Sequence, residues 1–186
     1  YMEDQLKKIS ISGTNNRYQI KKLFTPSDVI HKQRRTNSIN WDEHPEIYTH
    51  SKQIQVIHDM SNNHCVNIDD ITQIFIQEIG KKISGYKQQD KLKKRYDEEK
   101  FITFQSVIEK MCVCDLKCRY CKKDMLVIYD IMRESKQWSV DRVDNDIGHN
   151  INNFHLACLE CNLSRRRRTD AHFLFTKQLT IIKREI

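Results

Sequence analysis

A chain of 186 residues has room for one or two small domains, and its formal charge of +7 favours a polyanionic partner. No run of about eighteen apolar residues occurs, which excludes a membrane-spanning helix from the expectation. Only four glycines and two prolines argue against a β-rich fold and for helices.

Residues 1–24 are polar with little periodicity and read as a flexible arm. Thr25-Pro26 suits a helix start, since Thr caps and Pro is tolerated at the first helical position. Arg34-Arg35 reads as a solvated helix end in preference to a DNA contact. The anchors Trp41, Ile47, Tyr48, Ile54, Val56 and Ile57 are irregular and predict a short helix near Pro45–His58. His44, His50, His58 and His64 lack a paired spacing, so no metal site is expected there.

Asn67 or Asp69 caps the next helix. Ile68, Ile71, Ile74, Phe75, Ile79 and Ile83 recur at three- and four-residue steps, which is a core-facing stripe, and Gly85 is expected to end it. Tyr86–Glu99 is densely charged and reads either as a solvated helix or as a phosphate-tracking strip with Tyr86 and Tyr96 interleaved. Phe101–Met111 predicts another helix, capped by Thr103 or Ser106, that buries Phe104, Val107, Ile108 and Met111. Met125–Tyr129 is apolar enough for a strand or a buried helix start.

Two Cys-x-x-Cys pairs, Cys118/Cys121 and Cys158/Cys161, flank a gap of 36 residues. Each pair puts two thiolates on one tight turn, and two such turns complete a tetrahedral zinc shell. A disulfide framework is disfavoured by the odd count of seven cysteines and by the lack of a signal-peptide pattern. Cys112 and Cys114 could compete as ligands but read as buried or free thiols, and Cys65 reads as a small core residue.

Inside the gap, Ser139–Val143 alternates like a short strand, Asp144–Gly148 is turn chemistry, and Phe154–Ala157 suits a returning strand. A helix is expected from Leu159 onward. This order brings Asp141 and Asn162 together as oxygen donors for Mg²⁺ or Mn²⁺. His149, on the loop facing that ion, could deprotonate a water for attack at phosphorus. Each residue also has a plainer reading. Asp141 could be a turn residue, Asn153 a loop cap, His149 a hairpin cap, and His155 a core or surface histidine. Asp144 and Asp146 read as solvated turn acids, with Asp144 also open as a second metal contact. Trp138 is expected to anchor the first strand.

Over Cys118–Arg168 this combination resembles the HNH, or ββα-metal, endonucleases with a four-cysteine zinc site, and it is similar to HNH proteins of large DNA viruses. The resemblance extends back through Tyr86–Asp90. It implies that Asp141 and Asn162 bind the catalytic metal. The family's usual base directly follows the Asp, and that position is Arg142 here. One branch of the family carries Asp-Arg and then, seven residues after the Arg, a Tyr or His base; His149 stands at that offset. In that branch the Arg contacts the scissile phosphate. Asn153 matches the motif's central Asn, which pins the hairpin loop through backbone hydrogen bonds.

Arg165, Arg166, Arg167 and Arg168 follow Asn162. Four consecutive arginines wrap all sides of a helix, so some must face away from any core; they suit phosphate contact, a solvated face or a localisation signal. Ala171–Ile186 is expected as a last helix packed on the N-terminal one.

The expectation is an α+β chain. A flexible arm, 1–24, precedes a helical region, 25–110, for DNA binding or dimerisation. A zinc-containing nuclease domain with a C-terminal helix, 111–186, completes it. The expected partner is DNA, branched or nicked included, with no membrane and with a homodimer compatible with a double-strand cut. An intracellular site is expected: host cytoplasm or nucleus, or the virion. The other class kept open is a zinc-bearing nucleic-acid-binding module without catalysis.

Overall fold

Two short strands lie between helices and are clamped at one end by cysteines. In the computed structural model the described residues are 33–36, 41–62 and 69–179, and all but Gln33 belong to one compact unit, Arg34–Ile186. The arm 1–24, the Thr25-Pro26 helix start, Cys65, Asn67 and Ile68 lie outside them. The described elements are a 3₁₀ turn, Pro45–Tyr48, then α1 His50–Ser61, α2 Asp70–Leu92, α3 Phe104–Val113, β1 Trp138–Arg142, β2 Phe154–Cys158, α4 Leu159–Arg165 and α5 Asp170–Gln178. The chain is α+β. Among the described residues no helix is long and apolar enough to cross a membrane.

The caps follow local chemistry. Thr49 accepts the Lys52 amide and splits the expected Pro45–His58 helix into a 3₁₀ turn and α1. Asp69 accepts the Thr72 amide at 2.7 Å, so of the two candidate caps it is the one used within the described residues. Thr103 and Ser106 form a reciprocal capping box at the start of α3.

The stripe of α2 buries Ile71, Phe75 and Ile79. Each such side chain contributes roughly 1.5–3 kcal/mol when fully enclosed. Val107, Ile108 and Met111 of α3 meet it in the same core, and Trp138 is enclosed as the anchor of β1.

Helix α2 does not stop at Gly85 but runs on to Leu92. A mid-helix glycine costs about 1 kcal/mol against alanine, and the following turns offset it. Lys82 donates to the Trp138 carbonyl, and the Tyr86 hydroxyl accepts the Val140 amide at 3.0 Å. The helix thereby covers the outer edge of β1, where the Trp138 amide already donates to the Leu126 carbonyl. Arg35 also departs from expectation. It is no solvated helix end, because it pairs with the buried Glu78 at 2.6 Å and lies over the Tyr129 ring at 4.5 Å. A carboxylate enclosed this far needs a cation. Arg34, by contrast, is half exposed and pairs with Asp42.

β1 and β2 are antiparallel, with Trp138 opposite Cys158, Asp141 opposite His155 and Arg142 opposite Phe154. Met125–Tyr129 forms neither strand nor helix. It is a buried irregular segment held by Gln53, whose Oε1 accepts the Val127 and Ile128 amides and whose Nε2 donates to the Ile47 and Ile128 carbonyls. α5 covers Asp170–Gln178, and Phe173 is its buried residue.

Candidate metal centre and hairpin site

The sulfurs of Cys118, Cys121, Cys158 and Cys161 lie within 4.8 Å of one another, and Cys121 and Cys158 are 3.9 Å apart. A tetrahedral ion with bonds of about 2.3 Å sets its sulfurs roughly 3.8 Å apart. The four cysteines could hold a metal ion such as zinc. Their electrostatics fit that use. The Cys118 thiol is pushed down to about 4, first by its bond with Cys158 and then by backbone amides of Cys121, Cys158 and Tyr120 against the opposing effect of burial. The Cys158 thiol is pushed up, first by its bond with Cys118 and then by burial, and the Cys161 thiol is pushed up to about 12, first by burial and then by the charge of Cys118. Thiolates this close oppose one another's ionisation, and a dication removes that opposition. Cys112 and Cys114 stand apart from the cluster, with their sulfurs on the Ile57 and Met111 carbonyls.

The cluster fixes the ends of the hairpin. The Arg119 amide donates to the Leu156 carbonyl at 3.1 Å, so the first knuckle docks on β2, and the second knuckle runs directly into α4. That places Asn162 against β1, where its Nδ2 lies 3.1 Å from Ser139 Oγ and 3.2 Å from the Val140 carbonyl. Asp141, the next residue on β1, is buried. Asn162 therefore sits at the junction of β1 with α4, next to the residue that precedes Asp141, and its contacts there are made by its amide nitrogen.

Asp141 is heavily engaged there. Arg165 approaches its Oδ2 with Nε at 2.7 Å and donates from a second nitrogen to Oδ1 at 2.8 Å. The Tyr120 hydroxyl donates to Oδ2 at 2.5 Å. Arg165 also donates to the Arg142 and Arg168 carbonyls. Tyr120 lies 2.9 Å from Asp170, which Arg119 holds through both oxygens. Arg119 first, then Tyr120, keeps the Asp170 carboxyl below its usual range. His155, opposite Asp141, is half-buried and 3.9 Å from Asp170. None of Tyr120, Arg165 and Asp170 stood out in the sequence as a partner of Asp141; no spacing rule links them.

His149 is held elsewhere. Its backbone N–H donates to Asp90 Oδ2 at 2.6 Å and its Nδ1 sits 2.8 Å from Asp90 Oδ1. Its ring stacks on Tyr86 at 4.6 Å. Burial first of all lowers its basicity, with Asp90 opposing and Arg142 and Lys93 adding to the drop. No hydrogen bond among the described residues joins His149 to Asp141 or Asn162. Arg142 donates to the Asn145 and Ile147 carbonyls, both at 3.0 Å, and so braces the hairpin loop.

Asn153 spans the same loop. Its Oδ1 accepts the Asp144 amide at 2.8 Å, and its Nδ2 donates to the Asp144 and Gly148 carbonyls. Asp144 and Asp146 are exposed turn acids, and Asp144 takes the Asp146 amide. Of the four arginines, Arg165 is enclosed at 1% exposure, while Arg166, Arg167 and Arg168 reach solvent beside a cavity of about 840 Å³. Arg168 also packs over the Phe173 ring.

No protein-family model, no curated protein and no solved structure matches this chain.

Proposed function

We propose that this protein is a metal-dependent endonuclease of the HNH type that hydrolyses DNA phosphodiester bonds, with zinc on Cys118, Cys121, Cys158 and Cys161 as a structural staple. The observation that carries this reading is the docking of Asn162, directly after the four-sulfur cluster, on β1 at Val140, the neighbour of Asp141. That is the strand, loop, strand, helix order in which the resemblance places its carboxylate and amide.

The staple supplies folding free energy, because so small a motif has little core of its own. His149, through its bare Nε2, takes a proton from water. The oxygen so freed bonds to phosphorus as the ester bond to the leaving oxygen breaks. Arg142, permanently charged, faces the charge that builds on the phosphate. Asn153 keeps the loop carrying His149 in shape. Arg166, Arg167 and Arg168 contact the DNA backbone without reading sequence.

The resemblance assigns Mg²⁺ or Mn²⁺, as a source of charge stabilisation, to Asp141 and Asn162. The residues do not fit that ion while Arg165 and Tyr120 hold both oxygens of Asp141, since a hard cation needs an open carboxylate. The same ion pair favours a second reading, a nucleic-acid-binding module that keeps the zinc staple and does not cleave.

Supercoiled plasmid incubated with Mg²⁺ or Mn²⁺ separates the two. Nicking that is lost in His149→Ala, with DNA binding retained, supports the nuclease. Salt-sensitive binding with no nicking under either ion supports the module.

A further inference from the structure

His149 is the one buried histidine among the described residues, and what encloses it comes from α2, far upstream of the cysteine motif. Tyr86 and Asp90 stand four residues apart on that helix, so their side chains share a face. Tyr86 lays its ring against the imidazole, with 27° between the planes. Asp90 is wholly enclosed, and it spends both oxygens on His149, one on the backbone N–H and one on Nδ1. This two-point hold fixes the ring and the loop that bears it. Gly148 lets it form, since a Cβ there would come within 2.9 Å of Asp90 Oδ2.

A carboxylate only accepts hydrogen bonds, so the proton of the neutral imidazole sits on Nδ1. Nε2 is then left with its lone pair and with no hydrogen-bond partner among the described residues. The charged groups that act on the ring are Asp90 from α2, Lys93 just past its end, and Arg142 from β1. Asp90 is the one anion of the three. It alone favours the protonated ring, against burial and two cations, and so sustains the basicity of Nε2.

We propose that Asp90 is a positioning residue for His149: it holds the imidazole with Nδ1 protonated and Nε2 bare, so that Nε2 is the atom presented to the water that attacks a nucleic-acid phosphodiester. The proposal rests on the nuclease reading above and adds to it a residue from the helical region. It gives that region a part in the chemistry beyond a DNA-binding surface.

The test uses the full, zinc-loaded chain and has two readouts. Nitrogen NMR of the ring reports which atom carries the proton, whether or not the protein cleaves anything. Plasmid nicking across the pH range in which imidazole titrates reports its use. Wild type is expected to show the Nδ1–H form. Asp90→Asn removes the charge and is expected to mix the two tautomers. Its nicking profile moves its acid limb to lower pH by about one unit, and turnover at the plateau drops roughly 10-fold or more with little change in KM. Asp90→Glu, which keeps the charge, is expected to recover part of the turnover. An Asp90→Asn ring with the wild-type tautomer and the wild-type pH profile overturns the proposal. Where Asp90→Asn does not fold, the wild-type spectrum decides, and an Nε2–H ring overturns it. A wild-type chain that shows the Nδ1–H ring yet nicks no DNA overturns the nuclease reading, and with it the role given to Asp90.

Discussion

Arg165 on α4 and Asp141 on β1 form an enclosed ion pair, with Nε 2.7 Å from Oδ2 and a second nitrogen 2.8 Å from Oδ1. Both side chains are nearly inaccessible, at 1% and 3%. Removing one partner strands the other charge where water cannot reach it. Arg165→Met is therefore expected to destabilise the fold by about 3–5 kcal/mol. Asp141→Leu combined with Arg165→Met leaves no stranded charge and is expected to recover most of that loss. Urea unfolding of the single and double variants checks the prediction. A single variant as stable as wild type would show that the pair contributes little.

The four-sulfur cluster makes a separate prediction. One zinc per chain is expected on elemental analysis, and Cys118→Ser or Cys161→Ser is expected to lose it. Stripping the metal with a chelator is expected to cost cooperative unfolding itself, since knuckles of this kind draw folding free energy from the ion. Circular dichroism during chelator titration reads this directly. A chain that melts at the same temperature with and without chelator would rule out a structural metal.

Much of this arrangement was legible in the sequence, and the reasons are local. The Ile71–Ile79 stripe, the Thr103 cap and the two Cys-x-x-Cys turns each follow from spacing within a dozen residues. The hairpin was readable because Asp144–Gly148 is turn chemistry between alternating segments. Asn153 bonds to the loop backbone, which its reading as a loop cap predicts as well as its place in the motif does. What the sequence could not show was pairing across distance. Asp90 reaches His149 across 59 positions, and Tyr120 reaches Asp141 across 21. Gly85 misled because its cost as a helix residue is small beside the docking of Tyr86 and Asp90 in the turns that follow. Arg165 looked like one of four equivalent cations, and only the packing of α4 on β1 sets it apart.

Gly148 sits where the loop meets α2. A Cβ there would fall on the Arg95 carbonyl and within 2.9 Å of Asp90 Oδ2. The first neighbour is backbone and cannot swing aside. Gly148→Ala is expected to cost about 1–3 kcal/mol through this overpacking. It should also lengthen the contact between the His149 amide and Asp90, so amide exchange at His149 is expected to quicken before global unfolding does. Hydrogen exchange on the variant measures both. Unchanged protection at His149 would mean that the loop yields elsewhere.

Acid stability should depend on Asp170. Its folded carboxyl is held low, chiefly by Arg119 and then by Tyr120. A carboxyl whose folded value lies below its unfolded value contributes stability above the unfolded value. That contribution is lost as pH falls through the folded one. Asp170→Asn is therefore expected to be less stable than wild type at neutral pH, and the gap is expected to narrow as both are acidified below the usual carboxylate range. Denaturant midpoints at a series of pH values read the difference. A gap that stays constant with pH would mean that Asp170 acts through packing and not through its charge.

The arginine run divides by exposure, and so should its effects on binding. Arg165 is committed to Asp141, whereas Arg166 and Arg167 are exposed beside the cavity that follows α4. On duplex DNA each neutralised phosphate contributes about 0.9 to the slope of log affinity against log salt. Arg166→Ala with Arg167→Ala is expected to lower that slope by about two and to weaken binding similarly on unrelated sequences. Folding should be little affected, because neither side chain is enclosed. Titrations of labelled duplexes at several salt concentrations give the slope. An unchanged slope in a folded double variant would remove this face from the DNA contact and turn attention to Lys110, Lys117, Arg119 and Lys122, which line a cavity of about 410 Å³ beside Cys118.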